Sequence, residues 1–111
     1  MNNPKFTISK DSANEFRFLL RAINGEPTLR SSEGYSTKQG CLVGIASVKE
    51  NSPIDDRYKR GTSGIQYYFT LHASNGKTLG ISEMYNTAQS RDNGINSVKR
   101  DAPNAPIEDL T

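Results

Sequence analysis

The side chains with the most chemical potential in this chain come in matched pairs. Ser32, Glu33, Gly34 and Tyr35 spell S-E-x-Y, and Ser82, Glu83, Met84 and Tyr85 spell it again. Each quartet precedes a segment with helical patterning, and a helix N-terminus gathers partial positive charge. Two readings follow. In the structural one, Glu33 and Glu83 complement the helix start while Tyr35 and Tyr85 pack the strand-to-helix corner. In the functional one, the four side chains form a twinned polar site that binds a symmetric or cationic partner. A second set is Arg17, Arg21, Tyr68 and His72, all on the outward positions of alternating segments. Arginine and aromatic groups on one open sheet face hold single-stranded nucleic acid by phosphate contact and stacking. The plainer alternative makes them cross-strand neighbours on a wet face.

The usual catalytic constellations are missing. One histidine and one cysteine cannot complete a zinc site, and neither C-x-x-C nor H-E-x-x-H occurs. There is no glycine loop for phosphate and no G-x-S-x-G elbow. A base needs a partner to orient and tune it, and none can be named for His72, which reads as a surface histidine. Cys41 reads as a small helix residue against the core, since a reactive thiol needs an exposed, positive setting. The sequence calls for no catalytic residue, no metal and no cofactor. An enzyme centred on Glu33 and Glu83 ranks last, because no nucleophile or metal set accompanies them.

Those side chains need elements to hold them. The 111 residues are 33% hydrophobic, with a mean hydropathy of −0.70. That suits one domain with a modest core and a polar surface. The net charge of +2 comes from 14 basic and 12 acidic residues, far from the one-sided balance of a dedicated nucleic-acid binder. Arg57, Lys59 and Arg60 form the one local basic cluster, which reads as protection against edge-to-edge strand pairing. A lone cysteine forms no internal disulfide and suits a reducing compartment. The opening MNNPKFTISK has neither an apolar run nor a cleavage pattern, and no stretch approaches the ~18 apolar residues of a membrane helix. A cytoplasmic monomer is the expectation.

The arrangement comes from a repeat. Residues 28–53 and 78–103 share Thr28/Thr78, Leu29/Leu79, Gly44/Gly94, Ile45/Ile95, Val48/Val98 and Pro53/Pro103 among other identities. Upstream, the offset becomes 51 because Pro27 reads as an extra residue, and Phe18/Phe69, Leu20/Leu71 and Asn24/Asn75 then match. This is an internal duplication, and two copies closing about a pseudo-twofold fit it better than a capped solenoid. In each copy FRFLLRA (16–22) or YYFTLHA (67–73) alternates with period two, the mark of a strand with one buried face. Asn24-Gly25 and Asn75-Gly76 then signal hairpins with positive φ at both turn positions, followed by short return strands. Ser36 and Asn86, three residues before Gln39 and Gln89, predict capping boxes. Cys41, Ile45 and Val48, and Ala88, Ile95 and Val98, predict the apolar helix faces. Pro53 and Pro103 end the helices. Gly44 and Gly94 inside them predict a close approach to a neighbour, since each costs ~1 kcal/mol relative to alanine. Strands are predicted at 5–9, 56–60 and 107–110, with a turn or loop at 61–64. The expected fold class is α+β: two tandem β-β-β-α-β repeats, about 4–56 and 57–111, in a single compact domain. They form one antiparallel sheet with two helices on one face.

NEFRFLLRAINGE, the two S-E-x-Y helices ending in S-V-K, and the closing APIEDLT resemble the YegP-like family of small bacterial proteins without an assigned function. The resemblance covers nearly the whole chain. It implies a single sheet in which the C-terminal strands of the repeats are exchanged: 56–60 pairs with the second repeat and 107–110 with the first. It implies no catalytic residues. The expected function is therefore a non-catalytic binding or accessory module acting through the sheet face or the paired corners. The alternative is a weak nucleic-acid binder using Arg17, Arg21 and Tyr68.

Overall fold

The structure is a computed structural model that describes residues 3–111; the first two residues of the polar opening segment lie outside it. In chain order the elements are β1 (Lys5–Lys10), β2 (Phe16–Arg21), β3 (Pro27–Ser31), α1 (Lys38–Asn51), β4 (Tyr58–Ser63), β5 (Gln66–His72), β6 (Thr78–Ile81), α2 (Ala88–Asp101) and β7 (Ile107–Asp109). Short 3-10 turns follow each helix, at Asp55–Arg57 and Ala102–Asn104. The seven strands make one sheet in the order β4-β5-β6-β3-β2-β1-β7. The Cα radius of gyration is 13.2 Å, roughly the value of a compact chain of this length.

The fold class is α+β, and the strands are exchanged as the resemblance implies. β4 follows the first helix but pairs with β5 of the second repeat. β7 follows the second helix and pairs with β1 of the first. The sheet is mixed, however, not antiparallel throughout, because β7 runs parallel to β1. A parallel neighbour needs a long crossover, and α2 supplies it. Gly61, Thr62 and Ser63, expected in a turn or loop, extend β4 as strand residues. Only Gly64 and Ile65 turn, with Gly64 at φ +62°, as a two-residue hairpin with glycine first requires.

The pseudo-twofold can be read from the register. β3 meets β6 through Arg30↔Ile81 and Ser31↔Gly80. Leu19↔Arg30 in the first repeat corresponds to Thr70↔Ile81 in the second. Residues 51 apart are mates (81 − 30 = 51), so the axis passes between Arg30 and Ile81. This moves the extra residue away from Pro27. The Phe18 N–H donates to Ser31 Oγ at 3.4 Å, and the Phe69 N–H donates to Ser82 Oγ at 2.9 Å. Ser31 and Ser82 are therefore mates, still 51 apart. By Tyr35 and Tyr85, which bridge Phe16 and Tyr67, the offset is 50. The first copy holds its extra residue between Ser31 and Tyr35. Matching Thr28-Leu29 to Thr78-Leu79 letter by letter hides this, because hydrogen bonds set the register.

Both hairpins also differ from the expectation. Gly25 and Gly76 have positive φ, at 85° and 87°, while Asn24 and Asn75 do not. The Gly25 N–H donates to the Ala22 carbonyl, and the Ala22 N–H to the Glu26 carbonyl. That is the three-residue loop with glycine in the left-handed position, repeated at Ala73, Gly76 and Lys77. The asparagines instead accept from the N–H two residues on, Glu26 and Lys77. The N-caps are Thr37 and Thr87, which accept from the N–H groups of Gly40 and Ser90, in place of Ser36 and Asn86. A threonine hydroxyl one residue nearer the helix reaches the orphan donors first.

The core lies between the helices and one face of the sheet. Phe6, Ile8, Phe18, Leu20, Phe69 and Leu71 meet Cys41, Ile45, Val48, Ile95 and Val98, all of them buried. Ala88 is only half-buried. Leu29 and its mate Gly80 show how the axis is filled. A Cβ on Gly80 would lie 2.7 Å from Leu29 Cγ, so one leucine occupies the space that two could not share. The far edge is tied down by charge: Lys5 bonds Glu108 at 3.2 Å, and Lys38 bonds Asp109 at 2.6 Å. The Lys38 ammonium first, then Thr111, holds the Asp109 carboxyl well below its ordinary range. Folding lowers this pKa, so the contact contributes in full above about pH 4 and is lost as pH falls toward the folded-state value. The protection of the Leu110 amide, whose N–H donates to the Ile8 carbonyl, is expected to fall relative to its intrinsic exchange rate on acidification below about pH 4. In Asp109→Asn that acid-dependent step should shrink.

Candidate functional site: twin clefts beneath the S-E-x-Y corners

Tyr35 is placed by three constraints. Its backbone exchanges hydrogen bonds with Phe16 at 2.7 and 2.8 Å, closing the corner onto β2. Its ring stacks on Phe18 at 6.4 Å between centroids, and its hydroxyl lies beneath α1 at Gly44. Tyr85 repeats each contact, with Tyr67, Phe69 at 6.4 Å, and Gly94 under α2. The mid-helix glycines therefore make room for tyrosine. A Cβ on Gly44 would sit 2.5 Å from Tyr35 Oη, and one on Gly94 would approach Tyr85 Oη more closely still. Gly44→Ala is expected to cost up to about 2 kcal/mol, from overpacking of about 1–3 less a helix gain of about 1; Gly94→Ala should cost more. Urea unfolding measures both. Gly40→Ala is the control, because the nearest atoms its Cβ would meet are Thr37 Oγ1 at 3.2 Å and a Tyr35 ring carbon at 3.5 Å.

Each corner opens onto a cleft that the other repeat completes. The first is lined by Glu33, Tyr35, Gln39, Val43, Gly44 and Ser47, and closed by Ala73, Asn75, Lys77 and Leu79 of the opposite hairpin. Its volume is about 460 Å³. The second is lined by Glu83, Tyr85, Ser90, Asn93, Gly94 and Ser97, and closed by Ala22, Asn24, Glu26 and Thr28, with about 410 Å³. Most of their lining positions are mates; Gln39 lines the first cleft alone, and Ser90 of the second is the mate of Gly40. Among the described residues no protein group bonds either tyrosine hydroxyl, and neither is sealed from solvent. Burial first, then the neighbouring Glu33 or Glu83, raises both phenol pKa values above the ordinary range. Both tyrosines thus stay protonated donors at neutral pH.

The clefts differ in charge. In the first, Lys77 Nζ stands 3.7 Å from Glu33 Oε1. The mate of Lys77 is Glu26 (77 − 51 = 26), so the second cleft carries Glu26 and Glu83 with no cation on its walls. Val43 against Asn93 and Leu79 against Thr28 also make the second cleft the more polar one.

The sheet-face set is distributed differently. Arg17 and Arg21 lie on β2, Tyr68 and His72 on β5, with β3 and β6 between. Three strand spacings put the two pairs roughly 14 Å apart. They are mates across the axis, not one cluster. Arg17 is held by Asp11 at 2.6 Å and Arg21 by the Gly25 carbonyl at 2.9 Å. Tyr68 lies over Gly61. His72 is half-buried and hydrogen-bonds Thr70 at 2.7 Å, Thr78 at 3.3 Å and the Gly76 carbonyl at 3.3 Å. Cys41 is fully buried, and burial first, then Asp109, pushes its thiol pKa up. Among the described residues no group of three or more His, Cys, Asp or Glu side chains could hold a metal, and no helix is long and apolar enough to cross a membrane.

The duplication and the paired corners coincide with a known domain. The model of the domain of unknown function DUF1508 matches twice, over residues 11–58 and 63–109. The chain belongs to the UPF0339 (YegP) family. It is 48% identical over 107 residues to the UPF0339 protein YegP of Escherichia coli K12, covering 96% of each chain. It is 48% identical over 106 residues to a UPF0339 protein of the ptx operon 5′ region of Stutzerimonas stutzeri, covering 95% of each. The solution structure of Escherichia coli YegP, described as a protein of unknown function, superposes with a TM-score of 0.91 at 45% identity, covering 100% of this chain and 96% of that one. The UPF0339 protein SO3888 of Shewanella oneidensis gives 0.91 at 42% identity, covering 98% and 92%.

In this UPF0339 fold the sequence alone did not reveal that a hairpin of one repeat walls the cleft of the other. Asn24, Glu26, Asn75 and Lys77 carried a turn signal only. The matched Asn-Gly pairs were visible, but their destination depends on the β3–β6 pairing at the axis.

Proposed function

We propose that this UPF0339 protein is a non-catalytic binding module whose working surface is the pair of clefts. What supports this most is their construction: each needs both repeats, and each presents a tyrosine hydroxyl without a protein partner beside a carboxylate. A phenol donates, a carboxylate accepts, and the flanking asparagine and serine side chains add both kinds of group. That set suits a small ligand carrying an amine and a hydrogen-bond acceptor.

Proton–nitrogen correlation spectra during titration with spermidine and with free arginine test this. Shifts are expected at Tyr85, Asn93 and Gly94 first, where Glu26 and Glu83 are not offset, and weakly around Tyr35. Tyr85→Phe should weaken binding about 3- to 30-fold, the worth of one hydrogen bond to a charged or polar ligand. Single-stranded oligonucleotides are the opposing arm. One observation favours them: Arg30, exposed at the axis, lines the open face with Arg17 and Leu19. If oligonucleotides shift Arg30 and Tyr68 with a steep salt dependence and neither amine moves the cleft amides, the cleft reading is wrong.

A further inference from the structure

The pseudo-twofold is complete for six strands and fails at the seventh. β4 is the mate of β1: Phe6↔Leu20 and Ile8↔Phe18 in one half match Tyr58↔Leu71 and Arg60↔Phe69 in the other. On β1 the outer edge is covered by β7. On β4 the same edge is the end of the sheet. We propose that the free edge of β4 is a docking site for an extended acidic segment of a partner protein, which adds as a parallel strand. This site is independent of the clefts.

The chain itself shows what such a strand looks like. β7 pairs Phe6↔Ile107, Thr7↔Glu108 and Ile8↔Asp109. Transferred to β4 by the mates above, the same segment sets its glutamate opposite Lys59 and its aspartate opposite Arg60. On β1 those positions are Thr7 and Ile8, and the two acids are met instead by Lys5 and Lys38; on β4 the basic side chains stand at the paired positions themselves. Both side chains are exposed; Lys59 has no salt bridge among the described residues, while Arg60 is already paired with Asp92 at 3.3 Å and Asp55 at 3.5 Å, so Lys59 carries the charge selection. The backbone fits as well. Phe6 and Ile8 bond β7 through the Phe6 N–H and the Ile8 carbonyl, so alternation turns Arg60 and Thr62 outward from β5. The Tyr58 N–H already donates to the Asp55 carbonyl, which confines docking to the stretch from Lys59 to Thr62. Adding a strand to an exposed edge is a general mode of peptide recognition, with backbone bonds giving affinity and side chains giving choice.

Charge selects the occupant. A second β4 would oppose Lys59 and Arg60 to their own kind. A second copy's β7 would first have to leave its own β1, exposing the edge beside Phe6 and Ile8, which are 0% and 1% exposed. An acidic strand from a different protein meets neither obstacle.

The test uses the intact protein and the capped peptide APIEDLT, this chain's own closing sequence. At millimolar peptide, the Arg60 and Thr62 amides are expected to shift and to exchange more slowly. Binding should weaken about fivefold in Lys59→Glu, and a peptide with lysine in place of both acids should not bind. The inference is overturned if Arg60 and Thr62 stay unchanged, if the effect falls on Phe6 and Ile8 through displacement of β7, or if the basic peptide binds equally. Sedimentation showing a β4-mediated dimer without peptide would overturn it too.

Discussion

Phe69→Ala is expected to lower stability by about 3–5 kcal/mol, the usual loss for a buried phenylalanine whose site cannot collapse. Phe69 is 0% exposed. Its ring meets Tyr58 edge-on at 5.8 Å and stacks on Tyr85 at 6.4 Å. Gly94 borders it from α2, since a Cβ there would lie 3.3 Å from Phe69 Cε2. Four elements converge on this ring: β4, the second S-E-x-Y corner, α2 and β5 itself. None can close the gap without leaving the sheet. Against a total of about 5–15 kcal/mol, the loss removes a large share of the stability, and urea unfolding at 25 °C measures it. The mutation also removes the support under Tyr85. Binding at the second cleft should therefore fall further than the folded fraction explains, while the first cleft, resting on Phe18, is spared. Phe18→Ala should reverse the pattern. Equal loss at both clefts would mean that the phenylalanines do not position the tyrosines separately.

That separation shows what was legible in the residues. Alternation marked Phe18, Leu20, Phe69 and Leu71 as inward, and they are buried. The repeat and the glycines marked where each helix must approach something closely. Strand exchange came only from the resemblance, because Tyr58–Arg60 carries no letter that says which repeat it joins. The neighbour across the axis was hidden as well. Arg30 and Ile81 are mates with nothing in common chemically, and Leu29 is the mate of a glycine. At this axis Leu29 fills the space only because its mate is a glycine, since a Cβ on Gly80 would lie 2.7 Å from Leu29 Cγ. A pattern search rewards identity and so loses the register where the halves meet. The same reasoning applies to the clefts. Lys77 and Glu26 were ordinary hairpin residues until the β3–β6 pairing set each beside the other repeat's glutamate.

The contact between halves leads to the largest expected effect. Cut between Gly64 and Ile65, neither fragment should melt cooperatively, and an equimolar mixture should recover one cooperative transition. The first fragment would keep β1, β2, β3, α1 and β4, but β4 pairs only with β5 on the second, residue by residue from Tyr58↔Leu71 to Ser63↔Gln66. Without β5, Tyr58 loses Phe69, and its hydroxyl bond to the Ser52 carbonyl at 2.7 Å has no sheet to rest on. The second fragment would keep β5, β6, α2 and β7, but β7 pairs only with β1. Each piece thus carries the edge strand of the other, and pieces of 64 and 47 residues bury little surface on their own. In the mixture, four separate contacts re-form together: β4 on β5, β7 on β1, β3 on β6, and the two helices over the axis. The recovered transition should move to higher temperature with concentration, as an associating pair must. Circular dichroism melts of each piece and of the mixture at two concentrations decide it. Either piece melting alone as late as the intact chain would mean that a half-sheet is self-sufficient, and that the exchanged strands join two finished units instead of completing each other.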